Sequence, residues 1–170
     1  MRWNSDKRSR IRKPEGKPPT ILQMPLSLES MLDDDLSLRL ISTTPHYARN
    51  YLTAYHFGMF LEGRSQPVGD IELRLGNDLD LKLYSGHIGY AVDPEFRGQR
   101  LAARSLLLLL PLARRHGFRE LWITCDPDNY ASRRTCERSG AVLQEVVAIP
   151  TSHLLYRLGL RHKCRFLRKL

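Results

Sequence analysis

A short apolar strand runs directly into a long apolar helix between residues 92 and 102, through a turn rich in backbone donors. The segment reads Val-Asp-Pro-Glu-Phe-Arg-Gly-Gln-Arg-Leu-Ala. The first N–H groups of a helix have no partner inside the helix and carry the positive end of its dipole, so such a junction is suited to an anion such as phosphate. The segment therefore predicts a strand–helix unit with an anion site where the helix begins.

The composition is that of one globular domain. The chain has 170 residues, of which 42% are hydrophobic and 26% charged. Its longest leucine run, residues 106–110, ends at Pro111 and is far shorter than the roughly 20 residues that span a bilayer. We expect a single domain and no association with a membrane.

The net charge of +9 is concentrated at the two ends of the chain. Residues 1–19 hold seven Lys/Arg and two Asp/Glu, and residues 161–170 hold five Lys/Arg and no acid. The rest of the chain is close to neutral, so nucleic-acid binding is not expected except through these ends. We predict a disordered basic arm over residues 1–24, a folded domain over 36–160 and a basic tail over 161–170.

The three cysteines, Cys125, Cys136 and Cys164, lie in or near apolar segments and cannot all pair with one another. The first residues also lack the apolar core of a secretory signal. These features predict a reduced, cytoplasmic protein. No CxxC or HxxxH spacing is present, so no metal site is expected.

Strand and helix patterns alternate along the chain. The predicted strands are residues 36–41, 55–61, 67–75, 86–93, 120–125, 141–149 and 153–158. The predicted helices are residues 45–54, 102–116 and 130–139. The second and third strands read as a hairpin, and the unit from residue 88 to residue 125 reads as a right-handed parallel crossover.

Several of these segments resemble the GNAT superfamily of acyl-CoA-dependent N-acetyltransferases. They are residues 87–94, the turn 97–102 with the helix after it, and residues 125–129 followed by Gly140. The resemblance spans roughly residues 36–158 and is densest over 86–141. It implies an α+β, three-layer fold with a mixed, mostly antiparallel central sheet of about six to seven strands flanked by helices. One parallel crossover would join the strands at 86–93 and 120–125.

The resemblance also implies a binding site for acetyl-CoA as co-substrate. In this family an R/Q-x-x-G-x-G/A turn wraps the pyrophosphate of coenzyme A. Two strands splay apart to bind its pantetheine arm, and an N–H on or near Val92 would polarise the thioester carbonyl. The residues that match the family's cofactor-binding positions are Ala91, Val92, Arg97, Gly98, Gln99, Arg100, Leu101, Ala102, Asn129 and Ser132.

Arg100 departs from the family turn, because it replaces the middle glycine. A non-glycine residue held at positive φ costs about 1–2 kcal/mol. Either the turn stays in the right-handed region, or the loop differs locally from the family. The Arg100 guanidinium is also a candidate contact for a phosphate.

The implied reaction is direct attack of an amine on acetyl-CoA, so an ammonium of pKa near 10.4 must first lose a proton. Glu72 is the first candidate for the general base, and a relayed water is equally plausible. The further candidates are Asp70, His87, Tyr90 and Asp126.

This chain departs from the family pattern at the position of the acid that protonates the leaving thiolate. Many members have a tyrosine seven residues after the asparagine, and this chain has Cys136 there. A thiol of pKa about 8.5 can protonate a thiolate. The alternatives are that Cys136 is simply a buried helix residue and that coenzyme A needs no dedicated acid.

Two other functions are open to such a chain. One is a catalytically silent GNAT-like module that binds RNA, the ribosome or a protein partner through basic tails. The other is a cysteine hydrolase using Cys136 with His116 or His153, but no nucleophile-elbow or oxyanion motif surrounds the cysteine. The acceptor of the enzyme would be a small-molecule or peptide amine, and exposed strand edges make a homodimer plausible.

Overall fold

Strands and helices alternate through the chain, whose computed structural model describes residues 31–44 and 53–170. The strands are β1 (Leu32–Asp33), β2 (Leu36–Thr44), β3 (Ala54–Leu61), β4 (Gly69–Arg74), β5 (Ile88–Val92), β6 (Glu120–Cys125), β7 (Val142–Ala148) and β8 (His162–Lys169). The α-helices are α1 (Leu101–Arg115), α2 (Tyr130–Arg138) and α3 (Leu154–Arg157). Single turns of π-helix and 3-10 helix occupy Leu81–Ser85 and Pro94–Phe96.

Strands β1 to β5 form one antiparallel sheet in which they lie in chain order. The predicted hairpin is confirmed as β3 and β4, with Phe57 opposite Ile71. Successive residues of a strand point to opposite faces of the sheet. Tyr55, Phe57 and Ile71 accordingly place their side chains in the core, where each is at most 2% exposed.

Helix α1 covers the buried face of this sheet. Its residues Leu106 and Leu109 are fully buried and belong to the same core cluster as Phe57. The helix runs through Pro111, which lies on its exposed side, and Gly117 follows its end with a φ of 82°. In the part of the chain that the structure describes, no helix is long and apolar enough to cross a membrane.

Eight of the last ten residues form a central strand, which corrects the prediction of a basic tail over 161–170. Strand β8 lies between β6 and β7 and pairs antiparallel with both. Phe166 and Cys164 are 0% and 2% exposed, and even Arg165 is 7% exposed, with its guanidinium 4.1 Å from the Trp122 ring centre. The prediction of a tail was based on the number of charges and overlooked the alternation of basic and apolar residues. Because of this alternation, Cys164 and Phe166 share one face of a strand.

Residues 153–158 form a helical turn, so the strand predicted there is wrong. The His153 ring accepts the Leu155 N–H at 3.1 Å and caps the beginning of α3. Gly159 follows the turn with a φ of 94°. The segment has adjacent leucines at 154 and 155 instead of an apolar–polar alternation, and this favours a helical turn over a half-buried strand.

The predicted α+β class is confirmed, but in the described chain the strands form a five-stranded and a three-stranded antiparallel sheet in place of the one central sheet expected. Helix α1 connects β5 of the first sheet to β6 of the second. Two hydrogen bonds join the sheets just before β5. The His87 N–H donates to the Trp122 carbonyl at 2.6 Å, and the Trp122 N–H donates to His87 Nδ1 at 2.8 Å. Beyond them β5 and β6 form no ladder in the described chain, so both strands present a free edge.

His87 is 1% exposed, and burial lowers its pKa to about 4. The His87 ring lies outside the cleft described below, so it does not line the candidate site. Its role in the structure is the hydrogen bond from Trp122, which helps to join the sheets. In the unfolded chain the ring takes up a proton below its ordinary pKa of about 6.5, whereas the folded protein keeps it neutral. Stability is then complete above about pH 6.5 and declines as the pH falls to about 4, at no more than about 1.4 kcal/mol per pH unit.

We expect His87→Gln to lack this part of the acid destabilisation. Urea unfolding at pH 7, 6 and 5 measures it as the difference between the slopes for the two proteins. Equal slopes would show that His87 is protonated as easily in the folded protein as in the unfolded chain.

Two sequence predictions lie outside the described residues. They are the basic arm over residues 1–24 and most of the helix over 45–54. The end of that predicted helix is described, and there Ala54 begins β3 instead.

Candidate active site

A cleft of about 670 Å³ opens where β5 and β6 separate. It is lined from both sheets and from the beginning of α2. Its polar and ionisable lining residues include Thr44, His56, Glu72, Arg74, Tyr90, Cys125, Asp126, Asn129, Ser132 and Lys163. Five residues from the sequence predictions are thus brought together around one opening: Glu72, Tyr90, Asp126, Asn129 and Ser132.

The free edge of β5 presents backbone hydrogen-bonding groups to this opening. The His87 carbonyl and the Asp93 N–H bond to the β4 side, at 2.8 Å from Arg74 N and 3.0 Å from the Val68 carbonyl. Backbone groups alternate sides along an antiparallel strand. The N–H groups of Tyr90 and Val92 therefore point to the free edge, as expected for the arm of an extended ligand.

The turn after β5, where the sequence predicts an anion site, leaves several backbone donors free. In the described chain, no backbone hydrogen bond outside regular helices and strands starts from an N–H of residues 98–103, and the N-cap Arg100 offers no side-chain cap to α1. Gly98 has a φ of 85°, and a Cβ built on it meets no atom within 4 Å. The Arg97 guanidinium donates to the Val92 carbonyl at 3.0 Å and ties the turn to the end of β5. The turn residues are not among the lining residues of the cleft.

Arg100 adopts the left-handed conformation, with φ 62° and ψ 15°. The turn thus keeps a positive φ where the family has glycine and accepts the strain of a side chain there. The first alternative given in the sequence analysis, a turn that stays in the right-handed region, is therefore wrong.

We expect Arg100→Gly to be more stable than Arg100→Ala by about 1 kcal/mol. Both changes remove the guanidinium, but only glycine relieves the left-handed strain, and part of that gain is offset by the greater freedom of the unfolded chain. Urea unfolding of the two variants measures the difference. Equal stabilities would mean that Arg100 is not strained in solution.

The first turn of α2 connects to β5 through hydroxyl groups. The Asn129 side chain accepts the Ser132 N–H at 3.0 Å and caps the helix. The Tyr90 hydroxyl lies 2.8 Å from the Ser132 hydroxyl and 3.2 Å from its carbonyl oxygen. Burial, with a contribution from Cys136, raises the pKa of the Tyr90 hydroxyl well above its usual value. Tyr90 is consequently a phenol that keeps its proton, on a residue that lines the cleft.

Cys136 lies behind this group. Its sulfur is 3.8 Å from the Tyr90 hydroxyl, and the residue is fully buried and does not line the cleft. A hydrogen bond to Cys125, together with burial, raises the pKa of Cys136. The same hydrogen bond lowers the pKa of Cys125, which does line the cleft.

The carboxylates proposed as bases are held by cations. Glu72 forms an ion pair with Arg74, and Asp126 accepts from the Lys163 ammonium at 2.6 Å. Asp70 has a pKa raised by partial burial and by its acidic neighbours, and it is not a lining residue of the cleft.

His56 is a cleft residue that the sequence reasoning missed. It lies on β3 directly opposite Glu72 on β4. The available signal was the hairpin register, because once the two strands are aligned, a histidine and a glutamate become cross-strand neighbours on one face. Among residues 31–44 and 53–170, no group of three or more histidine, cysteine or acidic side chains is placed to hold a metal ion.

The fold and the site together indicate what kind of ligand this protein can hold. Two sheets that part beside a helix with free N-terminal donors can hold a long ligand with an extended arm and an anionic end. A family model described as the acetyltransferase (GNAT) domain matches residues 17–142, most of the chain. The chain belongs to the GNAT acetyltransferase family. Among curated protein sequences, none is similar enough to match.

Solved structures share this fold. One is RimL, a ribosomal L7/L12 alpha-N-protein acetyltransferase in complex with coenzyme A, where a cysteine forms a disulfide with the coenzyme. It is 17% identical, with a TM-score of 0.58, over 81% of this chain and 96% of that chain. An acetyltransferase from Salmonella typhimurium that modifies the N-terminal serine of the same ribosomal protein is 25% identical, with a TM-score of 0.53, over 72% and 66%.

A third similar structure is the microcin C7 self-immunity acetyltransferase MccE in complex with acetyl-CoA and AMP. It is 19% identical to this chain, with a TM-score of 0.53, over 69% of this chain. The match spans 61% of the length of that protein's chain.

Proposed function

We propose that this protein is an N-acetyltransferase that transfers the acetyl group of acetyl-CoA to a primary amine by direct attack. The observation that carries the proposal is the free edge of β5 leading straight into the uncapped N-terminus of α1. An extended arm and a pyrophosphate need these two features in this order. Family membership and the coenzyme-bound relatives support the same ligand.

The cofactor-binding roles follow from this placement. The N–H groups of residues 98–103 bind the pyrophosphate, with Arg97 and Arg100 beside it. The N–H of Val92 donates to the thioester carbonyl and stabilises the negative charge that develops on its oxygen, a contribution worth about 10²–10³ in rate. Asn129 and Ser132 bound the same opening from the side of α2.

Tyr90 is the acid that we assign to the leaving thiolate. Tyr90 lines the cleft, and its hydroxyl is 3.8 Å from the sulfur of Cys136, the residue at the family's usual tyrosine position. A phenol supplied by β5 thus stands close to where the family supplies one from the helix. This assignment leaves Cys136 as a buried packing residue instead of the acid.

The acceptor amine enters from the face of the sheet opposite to Tyr90. The cross-strand row Phe57, Ile71 and Tyr90 faces α1, whereas the row His56, Glu72 and Gly89 lies on the other face of the sheet. Both rows reach the opening between β5 and β6. An amine approaching past Glu72 would meet a thioester held on the Tyr90 side.

Turnover with a panel of amines tests the proposal. The panel contains a peptide with a free N-terminal serine, the same peptide with a blocked N-terminus and one lysine, and spermidine. Mass spectrometry detects an added acetyl group, and thiol release from acetyl-CoA gives the rate. We expect at least one acceptor to be acetylated in proportion to enzyme. Acetyl-CoA binding without any transfer would favour the silent module.

The alternative function, a catalytically silent GNAT-like module, depends on basic tails at the two ends of the chain. One of them is strand β8, whose Arg165 pairs with Glu145 and whose Lys163 pairs with Asp126. This removes much of the support for binding RNA, the ribosome or a protein partner through the C-terminal residues.

A further inference from the structure

A chain of polar side chains crosses three neighbouring strands on the acceptor side of the cleft. His56 Nε2 lies 2.8 Å from the Thr44 hydroxyl on β2, and His56 Nδ1 lies 3.5 Å from Glu72 Oε2 on β4. The other Glu72 oxygen pairs with Arg74. All four residues line the cleft, and the His56 side chain is 36% exposed, so its ring is accessible from the opening.

Arg74 holds the carboxylate in place. Its guanidinium donates to the carbonyl oxygens of Ser85 at 2.7 Å and Gly86 at 3.0 Å, in the turn before β5. Gly89 leaves room for the ion pair, since a Cβ there would lie 2.5 Å from Glu72 Oε1 and 2.8 Å from Arg74 Nη2. The Glu72 carboxylate is thus fixed between a cation and an imidazole, and taking up a substrate proton would disrupt both contacts.

We propose that His56 is the general base that deprotonates the acceptor amine, with Glu72 as the residue that positions its ring and Arg74 as the residue that positions Glu72. This inference rests on the proposed N-acetyltransferase function. It moves the base from Glu72, the first candidate of the sequence analysis, to the neighbouring strand. Imidazole is the side chain best suited to exchange protons near neutral pH, and a carboxylate beside it stabilises the imidazolium.

The protons balance over the reaction. The ammonium of the acceptor gives one proton to His56, and the freed lone pair of the nitrogen forms the new bond to the thioester carbon. The C–S bond breaks with its electron pair on sulfur, and the sulfur takes the Tyr90 hydroxyl proton. The second proton lost by the nitrogen restores Tyr90, and His56 returns its proton to solvent.

The charged groups that face His56 come from β4. Glu72 and Asp70 carry negative charge, and Arg74 offsets Glu72. The residue facing it from β2 is Thr44, which does not titrate in this range. Variants must therefore separate the contribution of His56 from those of these neighbouring charged groups.

The test compares pH–rate profiles with whichever amine of the panel the unmodified protein acetylates fastest. We expect His56→Gln to lower kcat about 100-fold or more at neutral pH while the KM for acetyl-CoA changes little. The remaining rate of this variant should rise about tenfold per pH unit, because solvent alone supplies the free amine, whereas the rate of the unmodified protein levels off. Glu72→Gln should lose about tenfold and keep the levelled profile.

Two controls keep the test decisive. His162→Gln changes an exposed histidine of β8 away from the cleft and should leave the profile unchanged. His56→Ala should regain activity with added imidazole, which separates a lost base from a damaged fold. A His56→Gln variant with full activity and an unchanged profile would overturn the base. Absence of turnover by the unmodified protein would instead overturn the proposed function, and the base with it.

Discussion

Phe166→Ala should lower the free energy of unfolding by about 3–5 kcal/mol, the usual cost of truncating a buried phenylalanine. The residue is 0% exposed at the centre of β8, between β6 and β7. A loss of this size removes a large part of the stability of a domain, for which about 5–15 kcal/mol is typical. Urea unfolding measures it.

Leu158→Ala is the control for this change. That residue is 68% exposed after α3, so its truncation should alter stability by less than about 0.5 kcal/mol. A Phe166 variant as stable as the Leu158 variant would contradict the placement of residues 162–169 as a strand and would restore the basic tail.

Gly98→Glu should abolish the rise in melting temperature that acetyl-CoA produces. The unmodified protein should gain about 2.7 kcal/mol at a ligand concentration 100 times Kd, which raises Tm by about 5–10 °C in a protein of this size. The new carboxylate stands at the N-terminus of α1, where the pyrophosphate should bind, and repels it. Thermal shift with and without acetyl-CoA makes the measurement.

Gly63→Glu is a matched control. Gly63 lies in the turn between β3 and β4 with a φ of 75°, and like Gly98 it has nothing within 4 Å of an added Cβ. Both variants bear the same backbone strain and the same new charge, so both should melt at a similar temperature without ligand. If Gly98→Glu keeps the full shift, the pyrophosphate does not bind at this turn.

Most of the fold could be predicted from local patterns in the sequence. The β3–β4 hairpin, α1 with its leucines, and α2 with its Asn129 cap each follow from residues close together in the chain. The prediction of an anion site at residues 97–102 also rests on a local pattern. Such features depend on turn chemistry, capping and periodicity, which can be read before any tertiary contact is known.

The features that could not be predicted from the sequence depend on which strands become neighbours in the folded protein. Strand β8 was hidden because its basic residues outnumber its apolar ones, and it is stabilised by partners such as Glu145 that lie far away in the chain. His56 gains its meaning only when β3 and β4 are in register. The contact between Tyr90 and Ser132 joins residues 42 positions apart, so no local pattern announces it.

The division into two sheets has the same origin. A strand–helix–strand pattern predicts a crossover, but whether the two strands then pair or part depends on the residues between them. Here the bonds between His87 and Trp122 hold the strands at one point, and the edges beyond remain free. That local separation is what creates the cleft.

The central claim is that acetyl-CoA binds along β5 with its pyrophosphate at the beginning of α1. A calorimetric titration of the chain with acetyl-CoA tests it most directly, run beside the Gly98→Glu and Gly63→Glu variants. We expect saturable one-to-one binding to the unmodified protein and to Gly63→Glu, and none to Gly98→Glu. No heat of binding to the unmodified protein, or equal binding to all three, would contradict it.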